Sequence, residues 1–154
     1  MQTIKLNPTD TNHLILLRLF VETMGDSSKH FRYFQKRPLT VISQHLVTLL
    51  CIDDDGTPVS YGHLDKEGED VWLGICVRDD KTSKGLGKKM MAGLISSADA
   101  LGIETIKLCV DRDNVLARRL YDKFCFIETD DSLDGNKALY IRDSYTIKLA
   151  RRLA

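Results

Sequence analysis

Gly85 and Gly87 fall in a run, KGLGKK, between a strand-like stretch ending at Arg78 and an apolar-periodic helix that starts near Gly85. A helix start offers unpaired backbone N–H groups and the positive end of the helix dipole. Glycine lets the backbone approach an anion closely, and Lys84, Lys88 and Lys89 add positive charge. The chemistry this spacing suits is binding of a phosphate or pyrophosphate, mostly by main chain; an ordinary tight turn uses the same two glycines. A Walker loop is excluded because GxxxxGK[ST] is absent. A dinucleotide fingerprint is excluded because its third glycine falls on Met90.

Other residues with chemical potential are scattered. Tyr121 lies on an amphipathic helix with Ala117, Leu120 and Phe124 beside it, as a core aromatic would. In YGHLD, Tyr61, His63 and Asp65 alternate onto one strand face, where His63 is either a proton acceptor with a pKa near neutrality or a histidine without a chemical role. His45, Asp65, Glu67 and Asp70 are further candidate bases. The segment KHFRYFQKRP carries Lys29, Arg32, Lys36 and Arg37 and no acid. It reads as a solvated helix face or as a site for an anionic acceptor. Cys51, Cys76, Cys109 and Cys125 are not paired at short spacing, so they form no metal-ligand pattern and read as buried, reduced thiols.

The elements that position these residues follow from periodicity and turn chemistry. Thr3 to Leu6 is a candidate strand, broken by Pro8; Thr9 or Thr11 then caps a helix that Gly25 ends. A second helix is expected over Ser28 to Lys36, stopped by Pro38. Three strands follow, His45 to Asp53, Pro58 to Asp65 and Asp70 to Arg78, with DDDG and KEGED as meander turns. Leu86, Met90, Leu94, Ala98 and Leu101 define a long helix capped by Gly102. A strand (Glu104 to Val110), a helix (Asn114 to Lys123) and a strand (Phe124 to Glu128) come next. The final strand is either Ala138 to Ile141 or Tyr145 to Leu149, with DSLDGNK as a loop. The length of 154 residues suits a single domain, 1–154, of mixed α/β class. Equal numbers of basic and acidic residues, 22 each, give no sign of a general nucleic-acid or membrane-surface binder. The polar start and the lack of a long apolar run point to the cytoplasm.

Together, VWLGICVRDDKTSKGLGKKMMAGLI and DNVLARRLYDKFCFIE resemble the two signatures of the GNAT superfamily of acetyl-CoA-dependent N-acetyltransferases. The first matches a strand followed by Q/R-x-x-G-x-G/A and a helix. The second matches N-x-x-A-x-x-L-Y-x-x-x-G-F at Asn114, Ala117, Leu120, Tyr121 and Phe126. The resemblance implies the GNAT acyl-CoA N-acyltransferase fold, a twisted mixed sheet of six to seven strands flanked by about four helices. It also implies a sheet splayed between its fourth and fifth strands, with pantetheine in the gap. It assigns Ile75 and Val77 backbone to pantetheine and the Ile75 N–H to the thioester carbonyl. Main-chain N–H groups of Thr82, Ser83, Lys84, Gly85, Leu86, Gly87 and Lys88 take the pyrophosphate. Asn114 binds coenzyme A on the other side, and Tyr121 protonates the leaving thiolate.

Departures are Thr82 and Ser83 at the Q/R position and the one after it, Cys125 at the family glycine, and Val71 where some members carry a glutamate base. The implied reaction is direct attack of a primary amine on the thioester in a ternary complex, with acetyl-CoA as cosubstrate and no metal. Acceptor specificity is expected from the basic segment, through Arg32 and Lys36. Taken with the HLVTLL strand and YGHLD that follow it, the segment also resembles GNAT enzymes of amino-sugar and surface-polysaccharide pathways, which implies an amino sugar or nucleotide-linked amino sugar. Protein, peptide or other small-molecule amines remain open, as do a non-catalytic acyl-CoA-binding module and a monomer or homodimer.

Overall fold

The computed structural model describes residues 1–129 and 135–154. Its first half is a meander. Strand β1 (Gln2–Lys5) leads into helix α1 (Thr11–Thr23), followed by β2 (His45–Ile52), β3 (Pro58–Glu67) and β4 (Asp70–Val77). The second half is α2 (Leu86–Ala100), β5 (Thr105–Asp111), α3 (Val115–Lys123), β6 (Ile127–Glu128), β7 (Lys137–Asp143) and α4 (Ser144–Leu153). The seven strands form one sheet in the order β1-β2-β3-β4-β5-β7-β6. All neighbours are antiparallel except β4 and β5, which run parallel and share a single register position, Trp72↔Lys107. This is the mixed α/β architecture expected, with its sheet parted between the fourth and fifth strands.

The two sheet faces have separate apolar cores. On one, α2 lays Met90, Met91 and Leu94 across β2 and β3, with Leu108 and Val110 of β5 in the same cluster. Gly62 makes that approach possible: a Cβ there would sit 2.7 Å from Leu94 Cδ1. On the other, Leu17 and Phe20 of α1 pack against Tyr61 and Cys76, with Phe31 and Phe34 at the margin.

Several boundaries differ from expectation for local reasons. Asp10 caps α1, its carboxylate accepting from the Asn12 and His13 N–H groups, so neither threonine is needed. The helix expected over Ser28 to Lys36 is replaced by short 3-10 turns, Gly25–Lys29, Tyr33–Gln35 and Leu39–Gln44. Phe31 and Phe34 reach the Tyr61 cluster while His30 and Arg32 reach across to Asp111. Of the two tail alternatives, Ala138 to Ile141 is strand and Tyr145 to Leu149 is helix. The loop expected over DSLDGNK falls mostly outside the described residues, with a turn at its end. Cys51 and Cys76 are buried as expected, but Cys109 and Cys125 are exposed.

Cys125 follows α3 with φ +67°, in the left-handed region that closes many helix ends. A side chain is disfavoured there by about 1 kcal/mol, which gives a physical reason for glycine in the related signature. Cys125→Gly is expected to raise stability by up to ~1 kcal/mol, read as an increased urea midpoint with an unchanged slope. No increase would show that the turn has relaxed around the cysteine.

Candidate active site

The separation of β4 from β5 leaves backbone without a ladder partner. The Arg78 N–H donates to the Val59 carbonyl at 3.0 Å, so Arg78 and Val59 form a hydrogen-bonded pair. Antiparallel alternation gives Cys76–Tyr61 and Gly74–His63 the same status. Leu73, Ile75 and Val77 therefore turn their N–H and C=O groups to the other edge, facing the gap. Ser27 Oγ donates to the Val77 carbonyl at 2.6 Å, which fits that orientation and leaves the Val77 N–H. The gap opens into a cleft of about 1570 Å³, lined by Ile75, Val77 and Tyr121 among others.

At one end of this cleft lies the start of α2. Gly85 takes φ +80° and supplies no side-chain cap. The first helical bond is Lys89 N–H to the Gly85 carbonyl at 3.1 Å. The Leu86, Gly87 and Lys88 N–H groups have no acceptor among the described residues. Thr82, Ser83, Gly85, Leu86, Gly87 and Lys88 all line the cleft, whereas Lys84 is exposed outside the lining. Unpaired N–H groups with a favourable dipole fit an anionic diphosphate. An extended unpaired strand edge next to them fits an amide-bearing arm.

Across the gap, α3 presents Tyr121, which is 5% exposed. Burial first, then Cys76 and Tyr140, push its phenol well above the ordinary value, so it is protonated at neutral pH. No partner holds its hydroxyl among the described residues. Asn114 caps α3, its Oδ1 accepting from the Ala117 N–H at 3.3 Å. Its amide NH2 carries no bond among the described residues and is left for a ligand. Between them, the carboxylate of Asp111, at the end of β5, receives both Arg32 guanidinium nitrogens at 2.9 and 3.0 Å and lies 3.0 Å from His30 Nδ1. The Arg32 bond, helped by His30, holds this carboxyl down at about 2. His30, Asp111 and Asp113 also have metal-ligand spacing, but Arg32 occupies both Asp111 oxygens, a fork that suits a guanidinium rather than an ion.

Behind β4 lies a buried polar array. His63 is 3% exposed and its Nδ1 is 2.6 Å from the Tyr61 hydroxyl. Its ring centroid lies 4.4 Å from those of both Tyr33 and His45, with the rings tilted. Burial, reinforced by His45 and Arg37, drives its pKa well below the usual value. This corrects the expectation of a base titrating near neutrality. With the Tyr61 phenol as donor, the ring proton sits on Nε2, the wrong tautomer for receiving another there. His45 is likewise lowered, to about 4, by burial and then Arg37. It joins Thr48 Oγ1 at 2.9 Å to the Tyr33 hydroxyl at 2.7 Å. The His63 ring lies on Gly74, where a Cβ would come within 2.5 Å of it.

The model of the Acetyltransferase (GNAT) family matches residues 13–126. The chain belongs to the GNAT acetyltransferase family. It is thereby an acetyl-CoA-dependent acetyltransferase. Solved GNAT structures share the fold at low identity. The GNAT domain of S. lividans PAT is 15% identical with a TM-score of 0.76, over 92% of this chain and 89% of that one. A GNAT-family acetyltransferase from Staphylococcus aureus Mu50 is 18% identical with a TM-score of 0.71, over 93% and 98%. PaiA N-acetyltransferase from Thermoplasma acidophilum, in complex with coenzyme A, is 17% identical with a TM-score of 0.68, over 93% and 99%. The curated proteins contain no match.

In this GNAT acetyltransferase the cleft gathers every expected site residue except Lys84. Arg32 is near the cleft but is engaged by Asp111, so it does not present an unpaired charge to an acceptor. Sequence reasoning missed Asp111, His30 and Tyr33; Asp111 lies just before the Asn114 signature, and His30 and Tyr33 lie within the basic segment KHFRYFQKRP. Asp111→Asn is expected to melt below the parent at about pH 7. Because the folded carboxyl titrates at about 2, below its ordinary value of about 3.9, the difference is full above about pH 4 and shrinks as pH falls towards 2. Thermal unfolding across that range checks it; a pH-independent difference would detach the ion pair from stability.

Proposed function

We propose that this chain, as a single GNAT domain, moves an acetyl group from acetyl-CoA to a primary amine by direct attack in a ternary complex. The observation that carries this reading is the convergence on one cleft of three groups: the unpaired edge of β4, the unpaired N–H groups at the start of α2, and the Tyr121 hydroxyl. The N–H groups of Leu86, Gly87 and Lys88 suit the diphosphate, with Thr82, Ser83 and Gly85 forming the turn around it. The Ile75 and Val77 edge suits pantetheine. When bound, acetyl-CoA supplies an electrophilic carbonyl and a thiolate leaving group.

The Ile75 N–H is the group assigned to the carbonyl oxygen as negative charge develops there. The amine nitrogen forms the new C–N bond while the C–S bond breaks. One proton leaves the nitrogen to solvent, Tyr121 donates one to the departing sulfur, and the phenolate regains its proton from solvent. His63 has a different part in this reading from the base first considered: it is a neutral group that shapes the cleft wall beside Gly74. Asn114 orients α3 and keeps its NH2 for coenzyme A. The acceptor class narrows less. An amino sugar or nucleotide-linked amino sugar keeps the support of Lys36, which is exposed in the cleft lining, and loses that of Arg32.

Tyr121→Phe is expected to lower turnover about 100-fold while leaving the acetyl-CoA Kd within about twofold. Unchanged turnover in a single-turnover experiment would remove Tyr121 from the mechanism. The pH profile gives a second check. With His63 held neutral by burial, the rising limb of kcat/KM should follow the pKa of each amine supplied. A common inflection near the ordinary histidine value of about 6.5, lost in His63→Asn, would restore the histidine as base.

A further inference from the structure

The four cations of the segment between α1 and β2 are not equivalent. Lys29 lies 3.4 Å from Asp26, and Arg32 is clasped by Asp111. Arg37 is different. Its Nη1 donates to the Tyr33 carbonyl at 3.1 Å, and its guanidinium stacks over the Tyr33 ring at 4.2 Å from the centroid. These contacts fix the side chain and leave most of its N–H donors unused. Among the described residues no carboxylate comes within ion-pair distance of it. It is exposed, yet it lines the cleft.

Its place along the cleft is set by topology. β4 runs from Asp70 to Val77, and the α2 turn follows the Val77 end. Arg37 stacks on Tyr33 and acts electrostatically on Asp65. Asp65 pairs with Trp72, towards the opposite end of β4. Tyr33, Arg37, Asp65, Glu67 and Trp72 thus line the cleft away from the diphosphate turn. That end offers one fixed guanidinium beside two carboxylates. Such a wall matches an acceptor that carries an anion as well as its ammonium: the carboxylates attract the ammonium, and the fork takes a planar or tetrahedral oxyanion.

We propose that Arg37 selects the acceptor by binding an anionic group, carboxylate or phosphate, carried by the amine. The proposal rests on the acetyl-transfer reading above and adds the chemistry of the acceptor. Asp65 and Glu67 restrict the choice to molecules in which the anion accompanies a cationic amine, which separates this wall from a general anion site. Arg37 acts on binding, so its effect belongs in KM.

The test uses two matched pairs of amines: an amino acid with its carboxamide, and glucosamine 6-phosphate with glucosamine. The carboxylate and phosphate arms separate the two anion sources. The parent protein should favour the anionic member of one pair in kcat/KM by about tenfold or more, the effect of one charge-assisted bond. Arg37→Gln should abolish that preference through KM, and Arg37→Lys should retain part of it, separating charge from the stack on Tyr33. Turnover without preference in either pair, or equal loss for both members in Arg37→Gln, would overturn the proposal and leave acetyl transfer standing. If no amine is turned over, Trp72, the chain's one tryptophan, reports binding of the same four amines by fluorescence. Tighter binding of an anionic member that disappears in Arg37→Gln would support the site while the acetyl-transfer reading fails; equal binding would overturn it.

Discussion

β4 and β5 lie side by side in the middle of a sheet and pair at one position only. A strand interior with unpaired N–H and C=O groups is costly when buried, and the rest of the molecule is arranged around that gap. Ser27 takes one of the orphaned carbonyls, at Val77. The cleft keeps the remaining edge open to ligand or solvent. Helix α2 follows β4 and starts without a side-chain cap, so a second set of unpaired donors opens next to the first. Both sets follow from where the backbone goes, and neither depends on a particular polar side chain. The turn at Thr82 and Ser83 therefore does not rely on its side chains to offer these donors.

The junction between α1 and the end of β4 keeps this arrangement in register. The Asp26 N–H donates to Asp79 Oδ2 at 2.8 Å, and the Asp79 N–H donates to the Met24 carbonyl at 3.1 Å. Gly25 sits in the left-handed region against Asp79, where a Cβ would come within 2.3 Å of the carboxylate. The basic segment leaves from this junction. Its aromatic side chains turn down onto Tyr61 and His63, and its charged ones turn towards the cleft. One strand, β3, therefore serves both purposes: its alternate residues Gly62 and Leu64 face α2, and Tyr61, His63 and Asp65 face the acceptor segment.

Much of this was legible in the sequence. Binary patterning located β2, β3, β4, α2 and β5 to within a few residues, because each has one buried face and recognisable turn residues. The glycine turn and the Asn114–Tyr121 stretch marked both sides of the cleft. What was not legible depended on pairing between distant residues. A basic run such as KHFRYFQKRP does not reveal that Asp111 will neutralise Arg32, about eighty positions later, or that its aromatic residues must serve Tyr61 instead of a helical stripe. His63 was visible as a candidate, but its protonation state depends on burial among Tyr33, His45 and Tyr61. The tail was undecided because Ala138 to Ile141 and Tyr145 to Leu149 are both short and amphipathic; pairing with β5 selects the former.

The Asp111 clasp has a geometric consequence. It joins the N-terminal segment to the end of β5 directly over the parting of the strands, so the two halves of the sheet are tied where they diverge. Arg32 and Asp111 both line the cleft, so this clasp crosses from one wall to the other and limits how far the two can separate.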